Sequence, residues 1–331
     1  MGVKEILSFV KVEHTLFSLP FVLIGALVAG GLHIALALRG IVWILIAAVG
    51  ARGLAMSLNR IIDREVDAVN PRTANRHLVS GAMSINTAWK LAAVFLAMLL
   101  IGAGMLNSVA LAMAWLPVLA FVIYPYLKRH TWLCHFWLGL CLGLAPAGAW
   151  LALQAEHLGW AALTGLHYGF TDFYWHPSIT FISLGVLFWI AAFDIHYARL
   201  DVESDREQGI HSFPAKFGVS ATRNLSILLT ISWLICFYLA GLHLFPGEGA
   251  RVTASPDFEG WVHLRSIMWL PAAGMMAVAN LLVMVVIGRG AEESEAKMAT
   301  FQKWHYRTSM ATGWLLLLGL SIVEKAPYYL D

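Results

Sequence analysis

Apolar residues in this 331-residue chain fall in long blocks separated by short polar segments. Windows that meet the roughly 20-residue requirement for crossing hydrocarbon as an α-helix lie near residues 16–37, 41–59, 87–106, 108–126, 133–154, 178–197, 224–245, 265–287 and 308–323. The pattern predicts an all-α polytopic membrane protein, a bundle of nine transmembrane helices of which the ninth is short. Nothing between the blocks reads as a soluble domain, a low-complexity tract or a nucleic-acid signature. Residues 1–331 are therefore expected to form a single transmembrane domain.

Composition agrees: 59% of residues are hydrophobic and 13% charged, outside the range of an ordinary soluble domain. The net charge of +2 matters less than its distribution. With a cytoplasmic amino terminus, most Lys and Arg fall on the cytoplasmic side, including Arg60, Arg64, Arg72, Arg76, Lys128, Arg129, Arg199 and Arg206. Only Arg39, Arg251, Arg265 and Lys325 lie opposite, and Arg52 lies inside a span. By the positive-inside rule the chain is expected in the inner (cytoplasmic) membrane with its polar motifs facing the cytoplasm. Cys134, Cys141 and Cys236 sit in apolar segments without metal-ligand spacing and read as small buried hydrophobes. His157, His167 and His176, between Glu156 and Pro177, are too irregularly spaced for a metal site and read as part of an interfacial aromatic loop.

The chemistry concentrates in Asn59 to Arg76, NRIIDREVDAVNPRTANR. Asn59, Asp63 and Asp67 recur every four residues, so on a helix they fan along one face about 40° apart. They end an apolar block, where hydrocarbon meets water, and acids so placed are costly unless functional. Oxygen ligands in this pattern suit Mg²⁺, which takes one or two carboxylates together with water and substrate phosphate. A second ladder, Asp194, Asp201 and Asp205, closes the block that begins at Ile179. Its spacings of seven and four return each acid to within roughly 20° of one line. Arg52 lies two turns before Asn59 on the same face, and a charge at that depth needs a partner. The carboxylate of an acidic aromatic substrate would supply one, and an ion pair with Asp194 is the competing reading.

The paired motifs resemble those of the UbiA superfamily of intramembrane aromatic prenyltransferases, N-(D/x)-x-x-D-x-x-x-D and D-x-x-Y-x-x-x-D-x-x-x-D. RTANR (Arg72 to Arg76), YPYLKRHT (Tyr124 to Thr131) and YARLDVESDREQGIHSFPAKFG (Tyr197 to Gly218) are similar too. Arg60 departs from the pattern, standing where many members carry Asp. The resemblance implies Mg²⁺ held by Asn59, Asp63, Asp67, Asp201 and Asp205. It implies a polyprenyl diphosphate contacted by Lys128, Arg72 and Arg76, with Tyr124 and Tyr197 either hydrogen-bonding that group or belonging to the aromatic belt. It associates Arg52 with an aromatic hydroxy acid. Asp194 is expected to bind the acceptor's hydroxyl, to act as general base, or only to orient Arg52. Glu13 and His14, at the mouth of the first helix, are further catalytic candidates.

The implied activity is Mg²⁺-dependent polyprenyl transfer to a ring carbon of an aromatic acid in ubiquinone or menaquinone synthesis. The chain resembles 4-hydroxybenzoate polyprenyltransferases as a whole. Its opening VEHTLFSLPF (Val12 to Phe21) and first acidic motif also resemble relatives that prenylate a dihydroxynaphthoate in the futalosine route. Haem O or chlorophyll synthase chemistry would need a cavity fitted to a macrocycle. A transporter is the non-enzyme alternative, although transporters place intramembrane charge near the bilayer midplane on broken helices.

Overall fold

The computed structural model describes residues 2–11, 15–30, 38, 40–164, 177–244 and 256–321, without the side chains of Val3, Thr164 and 256–267. Glu13, His14, His167 and His176 lie outside the described residues. The described chain is all-helical. A short α1 (Val3–Phe9) precedes α2 (Thr15–Ala29), α3 (Ile41–Ile62), α4 (Arg64–Val69), α5 (Ile85–Leu106), α6 (Ser108–Met113), α7 (Trp115–Leu127) and α8 (Cys134–Leu158). There follow α9 (Ala161–Thr164), α10 (Pro177–Tyr197), α11 (Val202–Glu207), α12 (Phe213–Leu244), α13 (Pro256–Leu282) and α14 (Glu295–Ser321). Apolar blocks take this form because in lipid the backbone N–H and C=O groups must be satisfied within the segment.

Each predicted window coincides with a helix, yet only seven segments among the described residues are long and apolar enough to cross a bilayer: α3, α5, α6 with α7, α8, α10 continued through α11, α12, and Met268–Ile287. The described part of α2 is apolar but has 15 residues. Helix α14 has 27, and its first half carries Glu295, Lys297, Lys303 and Arg307, so the predicted short ninth span is only its carboxyl-terminal part. The count of nine is accordingly approximate. Helix α12 starts earlier than its window and kinks at Gly218, where φ is 78°.

The helices close into a ring. Helix α3 packs on α5 and α7, α8 on α2 and α10, α10 on α12, α12 on α13, α13 on α14, and α14 returns to α2. One apolar core, with Phe21, Trp189, Trp233, Phe237 and Trp269, joins α2, α8, α10, α12, α13 and α14. A second, with Leu54, Leu58, Phe95 and Leu99, joins α1, α3 and α5. Between α13 and α14, Asn280 Nδ2 donates to Thr312 Oγ1 at 3.1 Å and Ser309 Oγ to Asn280 Oδ1 at 3.1 Å, polar links of the kind that join helices in lipid.

Small residues set how near the backbones come. A Cβ on Gly139 of α8 would sit 2.3 Å from the Leu187 carbonyl oxygen of α10, and one on Gly143 would sit 2.7 Å from that of Ser183. Gly139→Val is expected to force α8 from α10 and destabilise the protein by about 1–3 kcal/mol. Melting of detergent-purified protein checks this against Gly274→Ala, whose added methyl meets nothing within 4 Å. Equal melting temperatures would refute the close approach.

Candidate active site

The first acidic motif is not one continuous helix. Helix α3 stops at Ile62, Asp63 takes φ −90° and ψ 6°, and α4 restarts at Arg64. The four-residue ladder nevertheless survives the break. Asn59 Nδ2 donates to Asp63 Oδ2 at 2.9 Å, and the Asp63 side chain is 1% exposed. Lys128, which caps the end of α7, donates to the same oxygen at 2.6 Å. Asp63 Oδ1 is buried without a hydrogen-bond partner, with Arg129 Nη2 3.7 Å away. Burial pushes the Asp63 carboxyl above its usual range, and the Lys128 ammonium opposes that push. Asp67, on α4, takes both carboxylate contacts from Arg76 Nη1, at 2.7 and 2.6 Å.

The second motif is also broken. Helix α10 ends at Tyr197, a 3₁₀ turn spans Ala198–Asp201, and α11 carries Asp205, which is half-buried. Asp201 accepts from Arg72 Nε at 2.8 Å, from Arg72 Nη2 at 2.5 Å and from Asn70 Nδ2 at 2.7 Å. Arg72 and Asn70 belong to the turn that follows the first motif, so the two acidic clusters meet through direct bonds. The Arg72 guanidinium also lies over the Tyr197 ring, 5.4 Å from its centroid.

Beneath this polar cap lies a cavity of about 460 Å³. Arg52, Asn59, Arg76, Tyr124, Asp194 and Tyr197 line it together with Lys11, while residues such as Val22, Ile44, Leu106, Met113 and Leu151 supply apolar wall. Arg52 Nε is buried with no hydrogen-bond partner. No ion pair between Arg52 and Asp194 is found among the described residues. Asp194 instead meets His135 Nδ1 at 2.7 Å.

Asn59, Arg76, Tyr124, Asp194 and Tyr197 thus line the cavity, Asp63, Asp67, Arg72, Lys128 and Asp201 are bonded in the cap above it, and Asp205 follows on α11. Among the described residues Asp63 pairs with Lys128, Asp67 with Arg76 and Asp201 with Arg72, and Arg206 Nε donates to the Ala215 carbonyl. Arg60, the departure from the motif, is not a lining residue, and its guanidinium covers Phe9 of α1. Three site residues escaped the sequence reading. Asn70 lies three residues beyond the last acid of the ladder, in the turn that follows α4. Lys11 counted as a topological charge, and its φ of 47° is unusual for a side-chain-bearing residue. His135 is a lone histidine in an apolar helix, a pattern that carries no signal.

Among the described residues no three acidic, histidine or cysteine side chains converge as a ready-made metal cage. The donor set still fits Mg²⁺, because that ion takes few carboxylates and completes its shell with water and phosphate, and Asp63 Oδ1 is a buried oxygen without a hydrogen-bond donor.

Residues 18–255, which contain both acidic motifs, match the model of the UbiA prenyltransferase family. The chain belongs to that family. This UbiA prenyltransferase is 29% identical to a 4-hydroxybenzoate octaprenyltransferase of Shewanella woodyi over 67% of the chain and 70% of the relative. It is 30% identical to one from Coxiella burnetii over 70% of the chain and 69% of the relative. Its fold matches the apo structure of a UbiA homolog from Aeropyrum pernix K1, with a TM-score of 0.69 and 28% identity over 94% of this chain and 98% of that one. It also matches a UbiA homolog from Archaeoglobus fulgidus solved with GPP and Mg²⁺, with a TM-score of 0.59 and 17% identity over 95% and 99%. The protein is therefore a multi-pass membrane enzyme that transfers prenyl groups.

Proposed function

We propose that this UbiA prenyltransferase moves a polyprenyl group from an allylic diphosphate to a ring carbon of an aromatic hydroxy acid of the 4-hydroxybenzoate type, in quinone biosynthesis. The observation that carries this reading is Arg52, whose Nε lacks a hydrogen-bond partner in the wall of a mostly apolar cavity, beneath two joined acidic clusters. A carboxylate on the acceptor would satisfy the guanidinium, while the prenyl tail would lie along the apolar wall.

Asn59, Asp63, Asp67, Asp201 and Asp205 would hold Mg²⁺, which when bound neutralises charge growing on the departing diphosphate. Lys128, Arg72 and Arg76, now held by the acids, would turn to the diphosphate oxygens, with Tyr124 and Tyr197 beside them. The allylic carbon–oxygen bond breaks and its electron pair leaves with the diphosphate. The electron-rich ring attacks the allylic cation to form the carbon–carbon bond, and the ring proton is then lost. Asp194 would hold the acceptor's hydroxyl or take that proton. Apolar walls keep water from the cation. The distribution of basic residues supports a cytoplasmic face for this end, in an inner membrane.

Purified protein given a polyprenyl diphosphate and Mg²⁺ with 4-hydroxybenzoate is expected to yield the prenylated acid, identified by mass, and free diphosphate. A product formed only with 1,4-dihydroxy-6-naphthoate would move the acceptor to the naphthoate class. Solute movement in proteoliposomes without diphosphate release would overturn the enzymatic reading.

A further inference from the structure

We propose that His135 is a positioning residue that holds Asp194 turned to the cavity, in a ring tautomer imposed by the backbone at the start of α12. The Phe213 backbone N–H donates to His135 Nε2 at 3.0 Å. A backbone N–H can only donate, so Nε2 carries a lone pair and the ring proton lies on Nδ1. Nδ1–H then donates to Asp194 Oδ2 at 2.7 Å. A ring proton on Nε2 would set two N–H groups head to head, so the imidazole donates to Asp194 from Nδ1. Its side chain is 4% exposed, against 17% for Asp194, which lines the cavity.

The link reaches across the site. Phe213 follows the segment that leads out of α11, and that segment is also held where the His211 N–H donates to the Lys128 carbonyl at 2.9 Å. The chain bearing Asp201 and Asp205 is thereby tied to the carboxylate on the acceptor side through one imidazole. Gly139, one turn beyond His135, brings α8 close enough to α10 for the contact. This inference rests on the reading that Asp194 contacts the aromatic acceptor.

Three variants of the full-length protein separate the two bonds. His135→Asn keeps an amide donor near Nδ1, His135→Gln extends its amide toward the position of Nε2, and His135→Leu removes both functions while keeping bulk. His135→Leu is expected to lower kcat/KM for the acceptor by about 10- to 100-fold, the usual cost of losing a supporting hydrogen-bond partner, with the KM for the allylic diphosphate little changed. His135→Asn should recover most of that loss and His135→Gln little of it. In an Asp194→Asn background, His135→Leu should add no further loss, because the histidine acts through the carboxylate.

Equal impairment in all three variants, an equal loss toward the diphosphate, or multiplicative losses with Asp194→Asn would overturn the proposal. A misfolded His135→Leu would not obscure this, since recovery in His135→Asn but not His135→Gln is read among variants checked for the melting temperature of the parent. If Asp194→Asn is impaired toward the acceptor and His135→Leu is not, this inference alone fails. If Asp194→Asn keeps normal acceptor kinetics, the acceptor role of Asp194 fails and takes this inference with it.

Discussion

Asp201→Ala is expected to lower prenyl transfer by about 100- to 1,000-fold or more, the scale seen when a preorganised group that stabilises developing charge is removed. The loss has two sources that can be told apart. One is the oxygen donor itself. The other is the junction: Asp201 is where Arg72 and Asn70 from the first motif bond to the second, so its removal frees both and lets the clusters drift. Asp201→Asn retains the size and one carbonyl oxygen, and should hold the junction better than alanine while remaining a poor metal ligand. If both variants lose transfer alike and keep the parent's melting temperature, the donor dominates. Asp63→Ala should be as damaging through a different route, because it deprives Lys128 and Asn59 of their shared partner. Normal turnover in either alanine variant, measured as diphosphate release, would defeat the assignment of these acids.

Arg52→Ala is expected to cost about 10- to 100-fold in kcat/KM for the aromatic acid, the factor that corresponds to a charge-assisted hydrogen bond of roughly 1.5–3 kcal/mol. Its effect on the allylic diphosphate should be small, since Arg52 lies about three turns below Asp63, the first of the acids that cap the cavity. Arg52→Lys should remain impaired, because a point charge cannot reproduce a two-pronged grip on a carboxylate. Steady-state kinetics with each substrate varied in turn checks this, and equal losses toward both would count against the role.

The helical architecture is legible in the sequence because uninterrupted apolar length is a one-dimensional signal, and the acids are legible because four-residue spacing survives a local break. The breaks at Asp63 and at Ala198–Asp201 are not legible, because the helix is interrupted there without a glycine or proline to announce it. Nor is it legible which cation meets which acid. Arg64 and Arg206 are nearer in sequence, but Lys128 reaches Asp63 across 65 positions and Arg72 reaches Asp201 across 129, pairings made by the ring of helices. The His135–Asp194 contact was hidden for the same reason, as its partners lie 59 residues apart on two apolar helices.

The most direct measurement is calorimetric titration of an unreactive thiolo analogue of geranyl diphosphate into the purified protein, with Mg²⁺ and with a chelator, for the parent, Asp63→Ala and Asp201→Ala. If one diphosphate is gripped jointly by both clusters through Mg²⁺, binding requires the ion and is lost in each variant alone. Unchanged affinity in the chelator, or in either variant, would contradict it.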